Sequence, residues 1–138
     1  MRVIVTGSRH WTDVAEVEWA LRLLPSDAVI VHGAARGLDT IAAAVAVRLG
    51  LRVEEHPADW NRLGVKAGPI RNQAMVDSGA DACLAFPESR SIGTWDCVRR
   101  ADAAGIPVTV HYTGEIPSIY SSKLRRAGLK VPGGRRGS

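Results

Sequence analysis

Residues 32–40 read HGAARGLDT, set between the apolar run AVIV at 28–31 and the run IAAAVAVRLG at 41–50. The first flank reads as a buried strand and the second as a helix rich in Ala and Val. A strand handing over to a helix needs one turn residue and a cap. This junction has two glycines, Gly33 and Gly37, a guanidinium at Arg36, and a helix directly behind them. The glycines allow close approach, Arg36 supplies positive charge, and the first amides of a helix have no intrahelical acceptor. The stretch reads as a surface built to receive an anion. Asp39 cannot favour a phosphate by its charge, and it is better suited to capping the helix or accepting from a sugar hydroxyl.

Outward from this junction the same handover recurs. Strands are expected near 2–6, 28–32, 51–56, 82–86 and 107–111, and helices near 13–24, 37–49, 69–79 and 93–104. In the first helix Val14, Val17, Ala20, Leu21 and Leu24 recur at three- and four-residue spacing, with Thr12 or Asp13 available as cap. The second helix is apolar almost all round and is expected to be largely buried. Gly50 and Gly105 stand where helices end. Alternating strands and helices imply right-handed crossovers and an α/β domain. The expected fold is Rossmann-like and doubly wound: a mostly parallel sheet of about five strands with helices on both faces. Such a domain is expected over residues 1–112, and 113–138 differ in composition.

That difference is one of charge. The chain has 138 residues, 18 Lys and Arg against 14 Asp and Glu, and 46% hydrophobic residues. Six of the basic residues and one acid, Glu115, lie from Thr113 onward, which leaves a nearly neutral body. The segment ends in VPGGRRGS and reads as a flexible basic tail, either a solvated end or a weak nucleic-acid arm. Nothing in the sequence has the length of a membrane span or the layout of a signal peptide, so a cytoplasmic protein is expected. Cys83, Cys97 and the four histidines lack the spacing of a zinc site, and buried thiols are the simpler reading. No metal and no cofactor are expected.

Ligands of a doubly wound sheet bind beyond the carboxyl ends of its strands, and four expected loops there hold unusual residues. TGSRHWTD offers Gly7 for close approach, the hydroxyl of Ser8, and Arg9 for a phosphate. HGAARGLDT is the second. The third, PADWNRLGVKAGPIRNQAM, has Trp60 to stack on a base, with Arg71 and Asn72 opening the next helix. In the fourth, FPESRSIGTWD, Gly93 and Thr94 begin a helix with free amides and a hydroxyl. Trp11 and Trp60 serve equally well to roof the edge of the core. GSRHWT lacks the third glycine of the dinucleotide fingerprint, and GAARGLDT lacks the Gly-Lys-Ser/Thr ending of a P-loop. A single phosphorylated nucleoside fits these loops better than a dinucleotide.

GSR, HGAARGLDT, AGPIRNQAM and FPESRSIGT, in this order, resemble the SLOG superfamily, which groups the DNA-processing protein A family with the Lonely Guy phosphoribohydrolases. Within it the chain most resembles small single-domain Rossmannoid proteins of unknown function from actinobacteria and their phages. The likeness spans about residues 2–111. It implies a nucleotide-related ligand, and Arg71 and Met75 repeat the family's Arg-x-x-x-Met spacing. Relatives pair through helices, which leaves room for a homodimer. Lonely Guy enzymes have a PGGxGTxxE loop whose glutamate assists cleavage of an N-glycosidic bond. Alignment on Gly93 and Thr94 puts Cys97 at that position, with Asp96 one residue early. Glu88 and Asp96 are the carboxylates left to replace it, and the sequence leaves catalysis open. The resulting expectation is a module that senses or sequesters a phosphorylated nucleoside or nucleotide-derived ligand. A phosphoribohydrolase and a single-stranded DNA-binding protein are the alternatives.

Overall fold

A computed structural model describes residues 1–112 and 125–127 of the chain. Six strands form one sheet: β1 (Arg2–Gly7), β2 (Val29–His32), β3 (Arg52–Glu55), β4 (Ala82–Phe86), β5 (Val108–His111) and β6 (Arg125–Ala127). Their order is β3-β2-β1-β4-β5-β6, and every adjacent pair is parallel. All strands therefore end on one rim. The order reverses between β1 and β4, so the connections after these two strands leave on opposite sides of the sheet.

The doubly wound α/β fold follows from how the strands alternate. Val3, Val5, Ile30, Leu84 and Phe86 face one layer, where they pack with Val17 and Leu21 of helix α1 (Val14–Arg22) and Leu38, Ala42 and Val45 of α2 (Leu38–Arg48). Ile4, Val31, Cys83, Ala85, Val108 and Val110 face the other layer. They meet Met75 and Val76 of α4 (Ala67–Asp77) and Cys97, Val98 and Ala101 of α5 (Ile92–Ala103). A sheet covered on both faces needs apolar residues at successive positions, which is why its strands read as continuous apolar runs.

Asp13 caps α1, accepting from the Glu16 amide at 3.1 Å. Two departures from the sequence expectation are local. The stretch before α4 is not plain loop: it holds a one-turn helix, α3 (Trp60–Leu63), and a 3-10 turn (Gly64–Lys66). Asp59 organises that turn by accepting from the Arg62 amide at 3.2 Å, a side-chain cap that overrides the loop-like composition. The second departure is α2, which is less buried than its composition suggests, since Val47 is exposed. A run apolar on every side still has to turn one face outward when it lies on the surface of a sheet.

The sixth strand lies within the segment 113–138 that charge sets apart, and its pairing runs Thr109 to Arg125, Val110 to Arg126 and His111 to Ala127. The remainder of that segment lies outside the described residues. Among the described residues no helix is long and apolar enough to cross a membrane.

Candidate functional site

The rim at the carboxyl ends of the strands gathers all four loops singled out by sequence, and three sets of contacts join them. After β1, the Ser8 hydroxyl donates to Glu88 Oε1 at 2.7 Å and accepts from the His10 amide at 3.0 Å. The Ser8 amide also donates to the Phe86 carbonyl at 3.0 Å, so the first and fourth loops are tied together where the strand order reverses. Gly7 does not leave room for a ligand: Leu38 of α2 fills the space where its side chain would stand. Its role is close packing of strand and helix.

The second loop packs on the first. Gly37 is the N-cap of α2 with φ +69° and ψ −118°, a conformation that side chains rarely tolerate. A Cβ there would collide with the backbone of Ser8 and Arg9. The Leu38 amide donates to the Ser8 carbonyl at 3.0 Å. Arg9 and Arg36 are both exposed on these adjoining loops.

The amides expected to meet an anion here are largely engaged within the protein. Asp39 Oδ2 accepts from Gly33 at 3.2 Å and from Ala35 at 3.1 Å, and His32 Nδ1 accepts from Ala34 at 2.9 Å. Asp39 thus places its own carboxylate in the loop, an arrangement closer to the capping role than to a ligand contact. It is buried, and burial pushes its carboxyl up to about 6, with the Ala35 amide, the Arg71 charge and the Gly33 amide limiting the rise. Among the described residues its Oδ1 has no hydrogen-bond partner. The His32 ring is also buried, with Nε2 unpartnered and 4.0 Å from Glu55 Oε2.

Arg71 and Asn72 join the remaining loops. The Arg71 guanidinium fills the space beside Gly33, donates to the Gly33 carbonyl, and donates through Nε to Asn72 Oδ1 at 2.9 Å. Asn72 Nδ2 donates in turn to the Gly93 carbonyl at 3.2 Å and to Asp96 Oδ2 at 3.0 Å. A chain of hydrogen bonds therefore runs from the β2–α2 loop through α4 to the start of α5. At that start Ser91 is the N-cap, but its hydroxyl is occupied by the Glu88 amide at 2.7 Å and makes no bond to the helix. Gly93 is exposed and Thr94 is buried. No acceptor among the described residues meets their amides.

The two candidate carboxylates differ. Glu88 is exposed and accepts from Ser8. Burial would raise the Asp96 carboxyl, but hydrogen bonds from Arg100, Asn72 and Arg99 outweigh it and hold it below its ordinary value. Cys97 is fully buried and packs with Cys83, Met75 and Val98. Burial and the neighbouring Cys97 raise the Cys83 thiol, with the contact to Cys97 the larger cause. Met75 also lies in the core. Trp60 is 57% exposed, with its ring edge over Gly68. Trp11 roofs the core: it meets Phe86 edge-on at 5.4 Å and donates from its indole nitrogen to the Asp13 carbonyl at 3.0 Å. Among the described residues no group of three or more His, Cys, Asp and Glu could hold a metal.

Two features of the rim were not singled out by sequence reasoning. His32 pins the loop it precedes. Glu16 and His111 form a buried pair at 2.7 Å, tying α1 to the end of β5, with the His111 ring stacked on Phe86 at 4.4 Å. The available signals were a histidine closing each of two apolar strands and an acid inside the apolar stripe of α1.

A six-stranded parallel α/β sheet with its loops converging at the point of strand reversal defines a Rossmann-like fold. The chain belongs to the SLOG superfamily. The model of the YspA, cpYpsA-related SLOG family matches residues 1–63. The Gene 61 protein of Mycobacterium phage D29 is 50% identical over 116 residues, an overlap covering 78% of this chain and 93% of the phage protein. Among solved structures, DNA processing protein A from Streptococcus pneumoniae superposes with a TM-score of 0.74 at 20% identity over 93% of this chain. The chain spans 58% of that protein's length. DNA processing protein A from Helicobacter pylori, which binds single-stranded DNA, superposes with a TM-score of 0.64 at 18% identity, covering 91% of this chain and 74% of its own. At these identities the two structures speak for the fold.

Proposed function

We propose that the rim binds a phosphorylated nucleoside or nucleotide-derived ligand, as a sensing or sequestering module. The observation that carries this reading is the hydrogen-bonded chain Gly33–Arg71–Asn72–Gly93, which draws three loops together next to the uncapped start of α5. An uncapped helix start offers amides and a positive dipole end to phosphate. Arg9 and Arg36 are exposed on the adjoining loops, and Arg71 contributes charge from within. Superfamily membership supports the ligand class.

Cleavage of the ligand is disfavoured. Cys97, at the position of the family glutamate, is enclosed in the core and offers no carboxylate. Asp96 is held by three donors and kept ionised, which unfits it as a proton donor. Glu88 is the one remaining candidate of the two. Calorimetric titration with the common nucleoside monophosphates, with free base quantified by chromatography in the same samples, tests the reading. Binding without base release is expected. Robust release abolished by Glu88→Gln would make the protein a phosphoribohydrolase, and absence of binding would overturn the reading.

A second reading, single-stranded nucleic acid, is favoured by the likeness to the DNA-binding protein from Helicobacter pylori together with the exposed Trp60 and the exposed Arg36 and Arg62 of the rim loops. Bases stack on exposed aromatics, and cations follow the backbone. Removing residues after Thr113 would also strip β6 from the sheet. Charge substitution outside that strand is therefore the cleaner test. If Lys130→Gln, Arg135→Gln and Arg136→Gln together leave a steep salt dependence of oligonucleotide binding, the body of the protein binds the strand.

A further inference from the structure

We propose that the β2–α2 loop is an acid-opened latch, held closed at neutral pH by hydrogen bonds to His32 and Asp39 and released when the His32 ring takes up a proton. Three consecutive amides are held by two titratable side chains in alternation: Gly33 by Asp39, Ala34 by His32, Ala35 by Asp39. Since His32 Nδ1 accepts, it bears no proton, and the neutral ring has its proton on Nε2. Protonation turns Nδ1 into a donor that faces the Ala34 N–H, so that hydrogen bond cannot survive. Asp39 works the other way: burial favours its protonated form, so proton uptake there favours the closed loop and the opening falls to His32.

Among the described residues Asp39 Oδ1 and His32 Nε2 are both buried without a hydrogen-bond partner, and Glu55 Oε2 lies 4.0 Å from His32 Nε2. The backbone is also under tension at the middle of the clamp, where Ala34, a residue with a side chain, has φ +57°. Releasing Ala34 lets it return to ordinary backbone. The charged and titratable groups facing the clamp come from other elements: Arg71 of α4 faces both, and Glu55 at the end of β3 and His56 beyond it face His32. Burial pushes Asp39 up to about 6 and lowers His32, with Glu55 opposing that fall and Arg71 and His56 adding to it. The lowered ring takes its proton more readily once the loop is open, so acid favours opening through His32 against the closing tendency of Asp39. Opening would loosen the Gly33 carbonyl from Arg71. The latch is a property of the loop itself and stands apart from the identity of any ligand.

Amide hydrogen exchange resolved by NMR on the full chain, from about pH 7.5 to about pH 5, tests it. Intrinsic exchange is base-catalysed and slows toward acid, so a loss of protection in that direction reports opening. The protection of Gly33, Ala34 and Ala35 is expected to fall together by at least about tenfold, while Val45 in the core of α2 keeps its own. His32→Asn retains an acceptor near the Nδ1 position that takes up no proton, and is expected to abolish the fall at Ala34. Protection that stays constant across the range, or that falls equally in His32→Asn, overturns the latch. If that variant does not fold, the ring nitrogens of the native chain decide. A ring that protonates while the Ala34 amide neither shifts nor loses protection overturns the proposal, and coincident changes sustain it.

Discussion

After β2 the chain turns into α2 with the amides of Gly33, Ala34, Ala35 and Leu38 all bonded to acceptors within the protein. After β4 it turns into α5 with Ser91 occupied elsewhere and the helix start uncapped. Both junctions follow a buried strand, and both have glycine, a hydroxyl or carboxylate, and an arginine close by. Their sequences therefore invite the same reading as anion sites. The difference lies in where one acid falls. Asp39 stands two residues past the N-cap Gly37, close enough to turn back and serve as the loop's own anion. The corresponding acid of α5, Asp96, stands three residues further into its helix and is drawn away by Asn72, Arg99 and Arg100.

The contrast is tested most strongly by giving each junction the same methyl group. Gly37→Ala is expected to destabilise the fold by at least about 3 kcal/mol, because it adds unfavourable backbone to a collision with the main chain of Ser8 and Arg9. Denaturant unfolding of both proteins measures this. A loss below about 1 kcal/mol would mean that the two loops separate easily and that their contact does not organise the rim.

The two acids should respond to pH with opposite signs. The Asp39 carboxyl is raised to about 6, so between the usual aspartate range and that value the folded state holds more protons than the unfolded one. Its contribution to stability falls as pH rises through this window, by up to about 3 kcal/mol. Asp96 is lowered by its hydrogen bonds against the opposing effect of burial, so its contribution is present above the ordinary aspartate value and is lost as pH falls toward its folded value. Asp39→Asn should accordingly gain on the native protein as pH rises from about 4 to about 6, whereas Asp96→Asn should lose ground as pH rises toward about 4 in a series extended to lower pH. Parallel slopes for the two variants would remove the distinction between a self-occupied and an open junction.

Arg36→Ala bears on ligand binding. If Arg36 reaches phosphate from its exposed position on the loop, its loss should weaken nucleoside monophosphate binding by about 1.5–3 kcal/mol, roughly 10- to 150-fold, with little change in folding. Unchanged affinity by calorimetry would return Arg36 to an ordinary surface charge.

Much of this architecture is legible in the sequence. Apolar runs such as AVIV and ACLAF can only be strands covered on both sides, and their alternation with helices of adequate length leaves few topologies open. The positions of Gly7, Arg71 and Asn72 on the rim follow from that topology. What each does there does not. Whether a glycine admits a ligand or a neighbouring side chain depends on which helix packs above it, and for Gly7 that is Leu38, thirty-one residues away. The pairing of Glu16 with His111 joins residues 95 apart in the chain, and neither the acid in its apolar stripe nor the strand-closing histidine names its partner. Likewise the third loop looks irregular until Asp59 turns it into a helix through one side-chain bond. Local pattern reports which residues reach the rim, and long-range packing decides which donors are left unspent.

The smallest effect expected is also the sharpest check on the second junction. Gly93 is the second residue of α5, exposed, and a Cβ built there meets nothing within 4 Å. Its backbone lies outside the positive-φ region that favours glycine. Alanine is favoured over glycine inside a helix by up to about 1 kcal/mol, and less at a frayed end. Gly93→Ala should therefore leave stability unchanged or raise it by up to about 1 kcal/mol, the opposite sign to Gly37→Ala. With nothing in the fold to require glycine at this position, close approach of a ligand is the remaining physical reason for it, and the variant separates that from chance. A protein that is at least as stable but binds nucleoside monophosphates several-fold more weakly would put the phosphate against the α5 amides. A variant that gains stability and keeps its affinity would take the start of α5 out of the site, and leave the exposed arginines of the first two loops as the anion contacts.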